Sequence, residues 1–249
     1  MLDPLILLAL CGVGAIAGFT DAIAGGGGLI ALPALLAAGV PPIAALGTNK
    51  VQSVIGTGIA ALTYWRKGFI SLPALGIAIA ATYVAAALGA FVVKNINVLV
   101  LEVAVPAALI AVAFYFLFSP RLSDDDRHAR LRWNIFVPVM GACIGFYDGI
   151  FGPGTGSFLT MGFVALFGLG VTRAAGNTKV LNLASNIGAL TIFIPGGDVV
   201  WPAAFAMAVG QLLGGYLGAL TGIRFGAKII RPLVVVVSIA LALKLLLVR

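Results

Sequence analysis

This sequence carries very little charge. Aspartate, glutamate, lysine and arginine together make up 9% of the 249 residues, whereas soluble domains carry about 25%. Hydrophobic residues account for 61% of the chain and the mean hydropathy is +1.16. So few charges exclude an ordinary soluble domain, and they predict that most of the chain lies in lipid.

The sequence also has no block of positive charge of the kind that binds nucleic acid. The formal net charge is +7, but the cations lie mainly in short loops and at predicted helix ends. Cations in those places determine membrane topology. We therefore expect the lipid bilayer as a partner, and no nucleic acid.

Residues that bind metals or perform covalent catalysis are scarce as well. There are two cysteines and one histidine. Cys11 and Cys143 lie in apolar segments without CxxC spacing, so we predict buried free thiols, and His128 lies in a charged loop where it should face solvent. Neither GGGG nor GPGTGS fits the GxxxxGK[ST] phosphate-loop pattern, and no nucleophile and base pair is recognisable. We expect no metal, no cofactor and no enzymatic activity.

The residues that are abundant form long apolar runs. About 20 apolar residues are needed for a helix to cross a bilayer. Segments of that length end near Trp65, Val93, Phe118, Phe193, Ile223 and Val248. The fold class predicted is therefore an all-α polytopic membrane protein.

An internal repeat organises these segments. Residues 14–28 (GAIAGFTDAIAGGGG) match residues 141–155 (GACIGFYDGIFGPGT) at an offset of 127, and residues 47–53 match residues 176–182 at an offset of 129. We predict two homologous membrane repeats, residues 1–120 and 134–249. A charged cytoplasmic loop, residues 121–133, joins them.

The first element of each repeat is interrupted by glycines, at residues 25–28 and 152–156. Non-helical backbone at membrane depth persists only where protein or a water-filled cavity covers it. The pieces that follow, residues 29–38 and 157–169, are too short to span comfortably. Each repeat is thus predicted to have a re-entrant pair of partial helices followed by three transmembrane helices. An odd number of crossings inverts one repeat relative to the other.

The cations favour this inverted arrangement. One side collects Arg66, Lys67, Arg121, Arg127, Arg130, Arg132, Arg224, Lys228 and Arg231, and the other side has Lys94, Arg173 and Arg249. Positive residues stay inside, so the first group should be cytoplasmic and both termini outside. If the first element spanned fully, the repeats would be parallel and this asymmetry would be lost.

Two lysines occur in the middle of predicted transmembrane helices. Lys50 lies about 12 Å along a helix that starts at Pro42, and Lys179 is placed similarly after Thr172. An ammonium group at that depth costs at least about 2.5 kcal/mol, so it needs a partner, a wet cavity or a substrate. One interpretation is a structural ion pair with Asp21 or Asp148. The other is an anion site, and the two are compatible.

The glycine breaks favour an anion site. Partial helices that begin near Gly27 and Gly28, or near Thr155 and Gly156, would direct N–H groups and a positive dipole end toward the membrane centre. Polar side chains at helical spacing would line the same space, with interhelical hydrogen bonding as their alternative role. They are Thr48, Asn49, Ser53, Thr57, Asn177, Thr178, Asn182, Ser185 and Asn186. Midplane sites between inverted repeats with broken helices recur in secondary transporters.

A glycine stripe, Gly210, Gly214, Gly218 and Gly222, recurs every four residues. Such a stripe allows two helices to pack closely, either inside the protein or across a homodimer. A homodimer is therefore one of the partner predictions.

Taken together, GFTDAIAGGGG with GTNK in the first half and GFYDGIFGPGTGS with GNTK in the second half resemble the TauE/SafE sulfite exporter family. The resemblance covers nearly the whole chain. It implies a bacterial cytoplasmic-membrane transporter of sulfite or a small organosulfur anion, with Lys50 and Lys179 as charge partners of the anion. Asp21 and Asp148 would hold the lysines when the site is empty, which we favour, or couple transport to protons.

Two other classes of transport protein stay open. A passive anion channel would use the same cationic centre but would not saturate at low substrate. A cation carrier would use Asp21 and Asp148 as ligands, although two lysines beside two carboxylates give a roughly neutral centre.

Overall fold

A computed structural model describes residues 3–97, 99–100 and 131–226. Eight α-helices lie entirely within these residues, and no β-strand occurs among them. The helices are α1 (Pro4–Ala24), α2 (Gly27–Ala37), α3 (Pro42–Arg66), α4 (Gly76–Lys94), α5 (Trp133–Ile150), α6 (Thr155–Phe167), α7 (Val171–Phe193) and α8 (Trp201–Phe225), with a 3-10 turn at Leu72–Leu75 before α4.

Within the described residues, four segments are long and apolar enough to cross a membrane: Pro4–Ala24, Leu72–Lys94, Trp133–Ile150 and Trp201–Phe225. Helices α3 and α7 have comparable lengths, 25 and 23 residues, but carry polar side chains in their interiors. The predicted spans that end near Trp65, Val93, Phe193 and Ile223 correspond to α3, α4, α7 and α8. Those ending near Phe118 and Val248 lie outside the described residues, as do His128 and most of the loop 121–133.

Both predicted glycine breaks are present. Helix α1 ends at Ala24, Gly25 takes φ +75°, and α2 starts at Gly27; in the second half, Gly152 takes φ +100° between α5 and α6. The glycines supply backbone conformations that other residues rarely adopt. Helices α2 and α6 start at Gly27 and Thr155, close to the predicted starts, because the last residues of each break are already helical. Helices α1 and α5 have 21 and 18 residues, so they are full-length helices, which corrects our prediction of partial ones.

Helix packing is reciprocal between the two halves. Helix α1 packs against α8 and α5 packs against α4, while α3 contacts α8 and α7 contacts α4. Helices α3 and α7 also contact each other. The sequence repeat aligns α1 with α5, α3 with α7 and α4 with α8. The α1–α8 packing therefore corresponds to the α5–α4 packing, and the α3–α8 contact corresponds to the α7–α4 contact.

Small residues make these contacts close. Gly14 and Gly18 of α1 lie against Met207 and Gln211 of α8. The predicted glycine stripe faces the same interface from the other side, where Gly218 lies against the backbone of Phe19. The stripe therefore serves packing inside the protein, which was one of the two alternatives for it.

Most cations of the described chain lie at one end of the helices, which we call the Arg66 end. The Trp133 indole donates a hydrogen bond to the Ala74 carbonyl (2.9 Å), which places Arg132 beside the connection that follows α3. Gly222, two residues before Arg224, faces the Tyr64 hydroxyl near the end of α3.

Arg173 also lies at the Arg66 end, which corrects its predicted position. Gly176, about one turn after Arg173, packs against Phe69 and Ile70, just beyond Lys67. The assignment of Arg173 was inconsistent with the predicted re-entrant pair, which would itself return the chain to the side where it entered. Lys94 stays at the opposite end, the Lys94 end, where its ammonium group pairs with Asp198 (2.6 Å).

The cysteines differ from the prediction. Cys11 is half-buried, and Cys143 is exposed on the outer face of α5. Large apolar side chains such as Leu8, Phe91 and Leu213 are exposed on the outer faces of other helices. Cys143 therefore lies on the apolar outer surface. The prediction of a buried thiol was wrong there because an apolar segment of a membrane protein can face lipid as readily as the core.

Candidate functional site

The two interior lysines occupy equivalent places in their helices. Lys50 is the ninth residue of α3 and Lys179 is the ninth residue of α7. Each lies about 12 Å from the start of its helix at 1.5 Å per residue. Both are 1% exposed, so the expectation of buried ammonium groups far from the helix ends is confirmed.

Each lysine pairs with the aspartate of the other half of the chain. Lys50 Nζ lies 2.8 Å from Asp148 Oδ1, and Lys179 Nζ lies 3.0 Å from Asp21 Oδ2. Lys179 also donates to the backbone carbonyl of Asp21. The two ion pairs are therefore crossed, and exchanging the halves converts one pair into the other.

The two carboxylates differ in their remaining contacts. Asp21 Oδ1 faces the N–H of Gly27 at 3.4 Å, at the start of α2. Asp148 Oδ1 accepts a hydrogen bond from the Thr155 hydroxyl (2.7 Å), at the start of α6. Asp148 Oδ2 is buried and has no hydrogen-bond partner in the described part of the chain.

The two glycine breaks meet in the interior. Gly25 lies directly against the backbone of Gly156 and Ser157, a distance that leaves no room for a β-carbon. The Ser157 hydroxyl donates to the Ala24 carbonyl (2.5 Å), which satisfies a backbone acceptor at the end of α1. The N-terminal ends of α2 and α6, which carry partial positive charge, are thereby brought next to the ion pairs.

A small polar cavity lies among these groups. Its volume, counted as space for the centre of a water-sized sphere, is about 20 Å³. One water needs roughly 10–15 Å³ by this measure, so the cavity has room for about one water molecule. It is lined by Asp21, Gly25, Gly28, Asn49, Lys50, Ser53, Asp148, Gly152, Gly156, Asn182 and Asn186.

Most of the predicted site residues come together here. Those that line the cavity are Asn49, Lys50, Ser53, Asn182, Asn186, Gly28, Gly156, Asp21 and Asp148. Lys179, Gly27 and Thr155 lie behind them and contact the two carboxylates.

Several predicted residues make contacts elsewhere. The Thr57 hydroxyl donates to the Ser53 carbonyl (2.6 Å), and the Ser185 hydroxyl donates to the Asn182 carbonyl (2.9 Å). The Thr48 hydroxyl accepts the N–H of Val200 (2.9 Å), and the Asn177 amide donates to the Arg173 carbonyl (2.9 Å). Thr178 accepts a hydrogen bond from the Thr160 hydroxyl (3.1 Å). These contacts match the alternative role, hydrogen bonding within and between helices.

Sequence reasoning missed two features of the site. The glycines at φ > 0, Gly25 and Gly152, were assigned only to the breaks, yet they line the cavity. Gln52 is fully buried and donates to Asn49 Oδ1 (2.7 Å) and Ser53 Oγ (3.2 Å), so it orients two lining side chains. Its position three residues after Asn49 was the signal that could have identified it.

No cluster of three or more histidine, cysteine or acidic residues capable of holding a metal occurs among the residues that the structure describes. The donor set is instead two ammonium groups, two carboxylates, amide and hydroxyl side chains, and helix N-termini. Apart from the carboxylates, which the lysines already neutralise, these groups suit an anion.

Comparison with known proteins agrees with this description. The family model "Sulfite exporter TauE/SafE" matches residues 10–245. The "Probable membrane transporter protein ORF9" of Sinorhizobium sp is 47% identical over 241 residues, covering 96% of this chain and 92% of the relative. The "Probable membrane transporter protein YfcA" of Escherichia coli is 43% identical over 246 residues, covering 99% and 91%. A "Probable membrane transporter protein" of Haemophilus influenzae is 40% identical over 241 residues, covering 97% and 94%. No solved structure matches the chain significantly.

Proposed function

The chain belongs to the sulfite exporter TauE/SafE family of membrane transporters, and from this premise we propose that it is a secondary transporter of a small inorganic or organosulfur anion. The anion, sulfite or a sulfonate for example, crosses the bacterial cytoplasmic membrane by alternating access. Its site is the polar cavity between the two halves of the chain.

The observation that carries the proposal is the crossed pair of buried salt bridges. A buried ion pair is a poor source of stability, because desolvation offsets most of the attraction. The pairs do neutralise two ammonium groups at a depth where an unpaired charge is costly. An incoming anion replaces a carboxylate as the partner of Lys50, and the N-terminal ends of α2 and α6 add favourable dipoles.

Side chains around Lys50 provide the remaining contacts of the anion. Asn49, Ser53, Asn182 and Asn186 line the cavity from α3 and α7. Amide and hydroxyl groups donate hydrogen bonds to oxyanion oxygens without adding charge. This arrangement orients a small anion but does not distinguish a sulfite from a sulfonate.

Contacts at the helix ends support a re-entrant first element in the second half. The ring centroids of Trp133, at the start of α5, and Phe167, at the end of α6, are 5.4 Å apart. Helices α5 and α6 therefore begin and end at the same end of the protein, the Arg66 end.

The first half has the corresponding arrangement at the Lys94 end. Leu10 of α1 and Leu35 of α2 share a buried apolar cluster with Val93 of α4. With α1–α2 returning to one end and α5–α6 to the other, the halves lie inverted. The cations at the Arg66 end then make that end cytoplasmic and put both termini outside.

The small size of the cavity supports alternating access. A cavity with room for about one water must open to admit a larger anion, and the two helix breaks are its natural hinges. A permanently open channel would need a continuous wet path, and a cation carrier would need carboxylates that lysines do not already neutralise. The transport experiment below distinguishes the channel and the cation carrier from the proposed transporter.

The test is uptake by purified protein in liposomes. Radiolabelled sulfite, thiosulfate, sulfate, methanesulfonate and, as a cation, sodium are supplied to wild type and to the double variant Lys50→Met/Asp148→Asn, which removes both charges of one pair. We expect saturable uptake of at least one anion by wild type and none by the double variant. The matched control is Lys94→Gln, which breaks a partly exposed pair outside the site and should transport within about twofold of wild type.

Three results would overturn the proposal. Undiminished uptake by the double variant would show that the anion does not bind at Lys50. Uptake that stays linear with concentration would indicate a channel, and uptake of a cation in place of the anions would indicate a carrier that uses the carboxylates.

A further inference from the structure

We propose that Asp148 is the proton-carrying group of the site, so that one proton binds at its free carboxylate oxygen with each anion that binds at Lys50. This inference rests on the proposed function and assigns the two aspartates different roles. Asp21 stays ionised and holds Lys179, whereas Asp148 alternates between holding Lys50 and holding a proton.

The unequal contacts of the two carboxylates carry the assignment. Both oxygens of Asp21 are engaged, Oδ1 by the Gly27 N–H and Oδ2 by Lys179. Both contacts of Asp148 fall on Oδ1, which takes Lys50 and Thr155. Asp148 Oδ2 is buried, unpartnered within the described residues, and belongs to a side chain that lines the cavity.

A proton can therefore bind at Asp148 Oδ2 without displacing an existing contact. Buried polar atoms in proteins are nearly always hydrogen-bonded, so an acceptor left open beside a cavity needs a particular reason. As a protonated carboxyl, Asp148 would still accept the Thr155 hydroxyl at Oδ1 and would offer an O–H donor to the cavity. That donor can bind an oxygen of the transported anion.

Charge balance gives the proton its function. Lys50 and Asp148 are neutral together, and both are almost fully buried, 1% and 2% exposed. When an anion becomes the partner of Lys50, the carboxylate of Asp148 loses its compensation. A buried carboxylate without a partner takes up a proton rather than remain charged. The proton comes from water at the open side and leaves when the anion leaves.

Few other titratable groups lie near Asp148. Lys50 faces it from α3, and Asp21 lies across the cavity on α1. Tyr147 precedes it on α5, but the Tyr147 hydroxyl donates to the Pro153 carbonyl (2.6 Å). The α4 residues that pack against Gly145 and Gly149, on either side of Asp148 in α5, are threonine and alanine. From α6, Thr155 donates to Asp148 Oδ1, and Lys179 of α7 pairs with Asp21.

The experiment counts protons bound per anion bound. Purified protein is titrated with methanesulfonate and with thiosulfate, which carry no titrating proton near neutral pH, in buffers of different ionisation heat. We expect one proton per anion in wild type, with an affinity that falls about tenfold for each unit of rising pH where that proton is taken up. Asp148→Asn should bind anion with no proton uptake and a pH-independent affinity, because its amide imitates the protonated carboxyl.

A matched control makes the same change in a carboxylate outside the site. Asp198→Asn, at the Lys94 end, should keep one proton per anion. If Asp148→Asn does not fold, the infrared difference spectrum of wild type decides, since anion addition should produce a new protonated-carboxyl band.

The outcomes separate the two proposals. Anion binding by wild type without proton uptake, or undiminished proton uptake by Asp148→Asn, overturns the role of Asp148 and leaves the anion site intact. Absence of an infrared band during anion binding does the same. Failure of wild type to bind either anion overturns the proposed function itself.

Discussion

Replacing Lys50 with methionine tests the crossed ion pairs most sharply. Methionine keeps most of the aliphatic stem and removes the ammonium group, so the packing of α3 changes little. The carboxylate of Asp148 then remains in the interior, 2% exposed, with the Thr155 hydroxyl as its hydrogen-bond donor. The substitution therefore removes the positive charge of a buried pair and leaves the negative charge of Asp148 without its partner.

The magnitude follows from distance and burial. At 2.8 Å and an effective dielectric constant of about 20, the attraction within the pair is on the order of 6 kcal/mol. Desolvation offsets most of it, but removing one partner leaves the other uncompensated and costs about 3–5 kcal/mol. For a chain of this size that corresponds to a fall in Tm of roughly 6–20 °C.

The Lys94–Asp198 pair provides the matched comparison. It is shorter, 2.6 Å, but its side chains are 26% and 21% exposed. Water solvates each charge when the partner is removed, so Lys94→Gln should cost only about 0–1 kcal/mol. Burial rather than distance distinguishes the two pairs.

The assay is a thermal unfolding series in detergent with Lys50→Met, Asp148→Asn, the double variant and Lys94→Gln. We expect both single variants at Lys50 and Asp148 to unfold at clearly lower temperature. The double variant should return to within a few degrees of wild type, with a coupling energy of at least about 2 kcal/mol. Additive losses, or single variants as stable as wild type, would refute a buried pair at this position.

Other expectations follow from the breaks, the site and the topology. Gly25→Ala should lower the free energy of unfolding by about 2–4 kcal/mol, because a β-carbon there overlaps the backbone of Gly156 and φ is positive; in the same melts Gly12→Ala, which has open space, should be neutral or slightly stabilising. Thr155→Val removes the hydroxyl donor of Asp148 and should cost about 1–3 kcal/mol by thermal unfolding; an unchanged Tm would mean that the contact is not formed. A C-terminal alkaline phosphatase fusion should be active and a green fluorescent protein fusion dark, and the reverse would contradict the proposed topology.

Sequence reasoning predicted the features that depend on periodicity and composition. Spans, glycine breaks and the depth of Lys50 and Lys179 follow from apolar length, from the conformational freedom of glycine and from the helical rise. The repeat also identified Asp21 and Asp148 as the partners of the lysines. These properties are local, so a single sequence contains them.

What the sequence did not predict depends on how distant segments meet. It left open which aspartate pairs with which lysine, because the crossed pairing is set by the contact between the two breaks at Gly25 and Gly156. It placed Thr48 and Asn177 in the site, although a helical periodicity of polar residues does not say which neighbour each one faces. Arg173 was assigned to the wrong end for a different reason, since the predicted re-entrant pair already returns the chain to the end where it entered.

The central claim is that the crossed ion pairs form an anion site, and ligand-induced stabilisation measures it directly. Purified wild type is heated with sulfite, thiosulfate, sulfate or small sulfonates, beside the double variant Lys50→Met/Asp148→Asn. An anion at about 100 times its Kd should stabilise wild type by about 2.7 kcal/mol, a rise in Tm of roughly 5–11 °C, and should leave the double variant unchanged. Equal stabilisation of both proteins, or no stabilisation of wild type by any of the anions, would contradict the account.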